Sequence, residues 1–455
     1  MSFEVVDPAT GEARESRPLH TADEVERILG AAVDAQAEWA RRSFDDRARA
    51  LTTAADRLRG DTERWARRMT TEMGKPIAQA RSEVEKCAWV CEYYADHGEG
   101  FLAPHTAETD ATAAYWTPRP LGVVLGIMPW NFPHWQVFRF AAPTLMAGNG
   151  VLLKHAPNVP GCAEDISEIF AASGFAEGLF ANLRLEPEAI SEWMADDRIA
   201  AVTLTGSVQA GRAVAARAGE LVKKSVLELG GSDPYVILED ADLDHAAERC
   251  VTSRMVNAGQ SCIAAKRFIV LDAVHDAFVE RVVALMSDYE IGDPHNDDTR
   301  LGPLARLDLR DEVHRQVQAS VEAGARCLLG GEIPDRPGAW YPATVLTGVT
   351  PGMPAGSEEV FGPVASVLRA PDEATAIAWA NGTRYGLGAA VFTADRERGE
   401  TIARGRLHAG ACFVNDFVRS DPRLPFGGVR ESGYGRELSP LGIHEFVNQK
   451  TVWVR

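Results

Sequence analysis

The sequence predicts an α/β protein of two packed units with a small β extension, on three observations. The chain has 455 residues, beyond the length at which one hydrophobic core keeps growing. From about residue 120 onward, short apolar runs alternate with segments of helical periodicity, the pattern of parallel strands with helices on both faces. Two further apolar segments, 113–117 and 448–454, stand outside that alternation.

From Thr21 to about Lys75 the pattern is helical: Val25, Ile28, Leu29, Ala32 and Val33 recur at helical spacing, and Leu51, Ala54, Leu58 and Trp65 continue it. Cys87 and Cys91 lie four apart near Trp89 and Tyr94, which puts both thiols on one core-facing helix side. The run 122–127, bounded by Pro120 and Pro129, reads as a buried strand. A helix over Gln136 to Met146, a strand at 151–153 and a helix around Cys162 to Ala172 follow. Strands at 180–183 and 201–204 come next, the latter entering Gly206 and a helix from Val208 to Ala218. Ligands of such sheets bind beyond the carboxyl ends of the strands.

A second series begins at 235–238 and runs through a helix opened by Asp242 to a strand at 268–270. Helices at about 273–287 and 306–324, then strands at 364–367 and 389–392, complete a second α/β unit. Segments 113–117 and 448–454 have no neighbour in sequence, so they are expected to pair with each other and extend to another subunit, as edge strands need cover.

Lys and Arg number 47 against 65 Asp and Glu, a net charge of −18 that argues against nucleic acid and anionic membranes as partners. A dinucleotide remains admissible where backbone amides and a few cations meet it. The first residues carry no basic segment followed by an apolar run, and a cytoplasmic protein is expected. Seven scattered cysteines without Cys-x-x-Cys suggest neither a disulfide framework nor a zinc ribbon, and eleven dispersed histidines give no metal site.

Gly206-Ser207-Val208-Gln209-Ala210-Gly211 joins a strand to a helix, where a pyrophosphate can approach backbone amides. Arg212-Ala213 replaces the Lys-Ser/Thr of a P-loop, which disfavours ATP cleavage. Cys262 follows a helix expected to end near Asn257 and Gly259, placing its sulfur on a tight turn between the units. Taken singly, such a thiol is ordinarily inert core. Glu228 lies between Leu227 and Leu229 at a strand end, where burial would raise its pKa and make it a base near neutrality, or else a salt bridge would hold it. Asn131, in Pro129-Trp130-Asn131-Phe132-Pro133, offers an amide donor for an oxyanion, although turns often hold asparagine.

In this order, these segments resemble the signature stretches of the aldehyde dehydrogenase superfamily, over nearly the whole chain from Asp7-Pro8-Ala9-Thr10-Gly11 to the tail. The resemblance implies a Rossmann-like cofactor domain (1–110 and 125–228, plus about 435–443), an α/β catalytic domain (229–434) and oligomerisation strands (111–124 and 444–455). It implies Cys262 as nucleophile, Glu228 as base and Asn131 as oxyanion donor, assisted by the Cys262 backbone amide. A thiohemiacetal would lose hydride to the nicotinamide, and Glu228 would activate water to release the acid from the thioester. The cofactor site implied comprises Trp130, Lys154, Gly206, Ser207, Gly211, Leu229, Glu359 and Phe361.

Within the superfamily the resemblance runs to bacterial NAD(P)-dependent succinate-semialdehyde dehydrogenases, through residues 135–140, 229–234 and 420–428. Arg139, Trp135 and Ser420 then bind the substrate, Arg139 and Ser420 at its carboxylate, with Arg423 ranked below Arg139 as a structural loop residue. Val256 stands where some members carry an arginine, Ala264 where several carry a second cysteine, and Pro157 where NAD-preferring members have glutamate. Dual use of NADP and NAD with an NADP lean follows, in a homo-oligomer (dimer or tetramer). Glutarate semialdehyde or a simple aliphatic aldehyde is the alternative substrate, and a catalytically silent dinucleotide-binding protein the alternative class.

Overall fold

The computed structural model describes residues 2–455. The helical stretch after Thr21 divides into Ala22–Trp39, Phe44–Gly60 and Thr62–Met73. Capping chemistry sets the breaks. The Thr21 hydroxyl accepts from the Glu24 amide while the Glu24 carboxylate accepts from the Thr21 amide, and the Ser43 hydroxyl accepts from the Asp46 amide. The long Ile77–Phe101 helix packs on Phe44–Gly60 and buries Cys87 and Cys91, as their spacing predicts.

These helices cover a six-stranded sheet in the order Gly433–Tyr434, Lys224–Glu228, Ile199–Thr205, Val123–Met128, Gly150–His155, Phe180–Asn182. All neighbours are parallel except the first pair. Val123–Met128 and Gly150–His155 are buried on both faces because helices cover both. The chain starts centrally at Val123–Met128, moves outward to Phe180–Asn182, then crosses back to Ile199–Thr205. A crevice therefore opens between the carboxyl ends of Val123–Met128 and Ile199–Thr205. Gly433–Tyr434 already belongs to this sheet, so the chain returns to it before residue 435.

The second sheet has seven strands in the order Arg326–Leu329, Thr344–Thr347, Val364–Ala370, Ala265–Leu271, Asp233–Ile237, Gly388–Phe392, Ala411–Val414, with only Arg326–Leu329 antiparallel. Ala265–Leu271 is buried throughout even though it carries Lys266 and Arg267. Backbone carbonyls satisfy both cations: Arg267 donates to Ser232, Trp379 and Ala380, and Lys266 to Ser261 and Cys262. The two isolated segments do pair, Val447–Val454 lying antiparallel on Ala113–Pro120, with His105–Thr106 beyond it. A hairpin of Ser2–Val6 and Ala13–Pro18 opens the chain. No helix among the described residues is long and apolar enough to cross a membrane.

Candidate active site

Two cavities meet at Cys262, one of about 340 Å³ and one of about 290 Å³, both bordered by Cys262 and Gln136. The sulfur hangs on the segment after the Leu243–Met255 helix. There Asn257, Ala258 and Gly259 take φ of 54, 52 and 75° in succession. Left-handed backbone at two side-chain-bearing residues costs about 1–3 kcal/mol each and persists only where surroundings impose it. They do so here. Asn257 donates from its amide nitrogen to Gln79 Oε1 at 2.7 Å and from Nδ2 to the Asn131 carbonyl at 2.7 Å. Arg254 donates to the Gly259 carbonyl, and Lys266 Nζ to the Ser261 and Cys262 carbonyls at 2.9 and 2.7 Å. Burial pushes the Cys262 thiol up to about 12, opposed by Arg139 and Lys266. The thiol keeps partial exposure to the cavities while protein surrounds it closely.

Glu228 ends the Lys224–Glu228 strand, buried, with neither carboxyl oxygen holding a hydrogen-bond partner among the described residues. Gly427 permits its approach, since at φ 151° a Cβ there would sit 2.6 Å from Glu228 Oε1. Burial, then the Glu437 carboxyl, push the Glu228 pKa well above the ordinary value, against Arg139 and Arg436. Glu437 is itself raised by burial and ion-paired to Arg139. The outcome is a proton-holding carboxyl facing the thiol's cavity, as desolvation of a strand-end acid predicts.

Asn131 lies just past the Val123–Met128 strand, and its Nδ2 donates to the Gln260 carbonyl at 3.0 Å. An amide nitrogen carries two N–H groups, so one remains for a ligand. The Cys262 backbone N–H has no protein acceptor among the described residues.

The smaller cavity collects most of the expected cofactor residues: Trp130, Gly206, Ser207, Leu229, Glu359 and Phe361 all border it. Trp130 and Phe361 meet edge to face at 5.8 Å. The Ser207 hydroxyl accepts from the Ala210 amide at 3.2 Å and starts the Val208–Glu220 helix, so its side chain is spent on the cap while the helix amino end faces the crevice. Glu359 Oε1 accepts from the Gly231 amide at 2.9 Å, and Lys266 Nζ lies 3.5 Å away. Two expected residues fall outside the cavity wall. Gly211 is packed under Leu229, where a Cβ would sit 2.6 Å from its methyls. Lys154 is buried at the carboxyl end of Gly150–His155, and burial lowers its pKa, against Glu186 and Glu188.

The larger cavity holds Trp135, Arg139 and Ser420, with Phe132, Val256 and Phe426 among its walls. Arg139 is 1% exposed, ion-paired to Glu437, hydrogen-bonded to Thr205 at 3.3 Å and stacked 4.6 Å from the Phe426 ring centroid. Its charge is thus already balanced within the wall. Arg423 pairs with Asp421 at 2.6 Å on the surface, in keeping with a structural loop residue.

Sequence reasoning missed Gln260, Lys266, Glu437 and Lys86. Lys266 had a readable signal, a lysine beside an arginine at the head of an otherwise apolar buried strand. Glu437 and Lys86 had none, since their partners Arg139 and Ser420 lie far off in the chain.

A family model described as "Aldehyde dehydrogenase family" matches residues 1–452. A probable succinate-semialdehyde dehydrogenase [NADP(+)] of Synechocystis sp. is 49% identical over 454 residues, covering 100% of both chains. A succinate semialdehyde dehydrogenase [NAD(P)+] of Escherichia coli is 48% identical over 448 residues, covering 98% of this chain and 97% of that one. Among solved structures, a succinic semialdehyde dehydrogenase from Streptococcus pyogenes in complex with NADP+ superposes with a TM-score of 0.97 at 36% identity, covering 99% of each chain.

Proposed function

The chain belongs to the aldehyde dehydrogenase family, and from that premise we propose that it oxidises succinate semialdehyde to succinate with NADP or NAD, favouring NADP. The observation that carries this reading is the meeting of two cavities at Cys262, one bordered by the expected cofactor residues and one by cations and aromatic rings. The names of the relatives from Synechocystis and Escherichia coli support the substrate and the cofactor.

The residues present fit a nicotinamide dinucleotide. The amino end of the Val208–Glu220 helix offers amides to a pyrophosphate. Lys154 and Glu359 would hold the two riboses, and Trp130 and Phe361 would flank the nicotinamide. Pro157 is exposed and presents no acid against a ribose phosphate, which favours NADP. When bound, the cofactor supplies the two-electron acceptor.

The chain's own residues do the rest. Because burial holds the Cys262 thiol protonated at neutral pH, its proton must pass to water in the cavity as the sulfur attacks the aldehyde carbon. The Asn131 amide and the Cys262 N–H would hold the oxyanion of the thiohemiacetal. Its oxidation leaves a thioester on Cys262. Once its own proton has passed to solvent, Glu228 Oε takes a proton from water as that water attacks the acyl carbon and returns it to the departing Cys262 sulfur, releasing the acid and the thiol. Ala264 supplies no second thiol beside the nucleophile, so Cys262 acts alone.

The Val447–Val454 strand leaves Trp453 and Val454 exposed beside Ala113–Pro120, which supports a homo-oligomer closed across this sheet. Seven unpaired cysteines support a cytoplasmic location. The test is a matrix of succinate semialdehyde, glutarate semialdehyde and butanal against NADP and NAD, read at the absorbance of the reduced nicotinamide. Equal kcat/KM for succinate semialdehyde and butanal contradicts the substrate assignment.

A further inference from the structure

Three cations border the larger cavity: Lys86, Arg139 and Arg419. Two are already neutralised, Arg139 by Glu437 and Arg419, at the exposed rim, by Asp416 at 2.9 Å. Lys86 has no carboxylate partner among the described residues. Its ammonium donates to Ser420 Oγ at 2.7 Å and sits 4.3 Å from the Trp135 ring centroid. The neighbouring acids are committed elsewhere. Glu83 pairs with Lys75 and accepts from the His134 and Trp135 amides at 2.9 Å each, while Asp421 pairs with Arg423.

Lys86 is half-buried, and a charge partly withdrawn from water gains from a partner: burial, then Arg139, lower its pKa to about 8, against Cys87, Glu83 and Asp421. An ammonium has three N–H donors, of which the protein uses one. The Ser420 hydroxyl accepts from Lys86 and keeps its own proton to donate. The pair therefore presents two kinds of donor and one uncompensated positive charge toward the cavity.

We propose that Lys86, with Ser420 beside it, binds the carboxylate of the aldehyde substrate, supplying the positive charge that Val256 does not supply from the same cavity wall. This rests on the succinate semialdehyde reading. It moves the carboxylate from Arg139, whose charge Glu437 holds, to the mouth of the Ile77–Phe101 helix face that carries Lys86. Arg139 then serves the Glu228 and Glu437 carboxyls as a positioning residue.

The experiment compares the wild type with Lys86→Met, which keeps the alkyl stem over Trp135 without the charge, and Lys86→Gln, which keeps a donor to Ser420. KM and kcat are measured for succinate semialdehyde and for butanal, with succinate as a product inhibitor. The wild-type arm tests the substrate reading alone: no preference for the acid aldehyde overturns that reading and this proposal with it. Given that preference, both variants are expected to raise KM for succinate semialdehyde about tenfold or more, with kcat changed far less, as loss of a charge-assisted hydrogen bond implies. The inhibition constant of succinate should rise with it, and Lys86→Arg should recover most of the loss. The proposal is overturned if the ratio of the two specificities is unchanged, whether both aldehydes lose equally or neither loses. If Lys86→Met does not fold, the same ratio in Lys86→Gln decides.

Discussion

Glu228→Gln removes a titratable proton from a buried site while keeping the shape of the side chain. Neither Glu228 oxygen accepts a hydrogen bond, so the substitution breaks none, and it relieves the repulsion with Glu437. Loss of a general base costs about 10²–10⁴ in rate, which falls on release of the thioester. Steady turnover should drop by about that factor, whereas the first turnover should persist as a burst of reduced nicotinamide approaching one per subunit. Stability moves the other way. The folded carboxyl binds its proton more tightly than the unfolded one, so as pH rises the unfolded chain releases it first. The wild type then loses about 1.4 kcal/mol per pH unit, from about pH 4.3 up to the raised folded value. The glutamine variant has no such loss, and its advantage should widen with pH across that window. Stopped-flow absorbance and urea unfolding at pH 5 and pH 8 measure both. Intact turnover with a vanished burst, or a variant that loses stability relative to wild type between those pH values, would refute the reasoning.

Arg139→Met leaves Glu437 unpaired beside Glu228 and should cost about 3–5 kcal/mol in urea unfolding, while Arg139→Met with Glu437→Gln recovers most of it; equal losses would mean the pair is not coupled. Gly230→Ala places a Cβ 2.2 Å from Glu359 Oε2 and should weaken NADP binding about tenfold through the displaced carboxylate, as read by protein-fluorescence titration. An unchanged Kd counts against Glu359 as a cofactor ligand. With the Cys262 thiol at about 12, only about 10⁻⁵ of it is thiolate at pH 7. Iodoacetamide labelling of the free enzyme at Cys262 should accelerate about tenfold per pH unit from 7 to 10; a flat profile means the thiol is already ionised.

The strands that build the crevice were legible because burial on both faces leaves a continuous apolar run. The expected 122–127, 201–204 and 268–270 correspond to Val123–Met128, Ile199–Thr205 and Ala265–Leu271. The pairing of the two isolated segments was legible too, since each lacked a local partner. Edges were not. Ala13–Pro18 is exposed nearly throughout and Arg326–Leu329 is mostly exposed, so neither carries an apolar pattern. The long helical stretch hid its divisions because Ser43 reads as a cap only once the helix start is known. At the site, motifs singled out Cys262, Glu228 and Asn131, which the fold brings to one cavity wall, and their surroundings were not legible. The Arg139–Glu437 pair and the Lys86–Ser420 contact join residues that only the folded chain brings together. By periodicity, Lys86 sits between the core positions Val84 and Cys87 and reads as a solvated lysine.

The central claim is that Cys262 carries the acyl group between oxidation and hydrolysis. It is tested most directly by mixing Glu228→Gln with succinate semialdehyde and NADP, quenching in acid, and mapping the modified peptide by mass. A succinyl group is expected on the peptide containing Cys262, in amounts matching the burst and absent from Glu228→Gln with Cys262→Ala. Acylation at any other residue, or a burst with no acylated peptide, would contradict it.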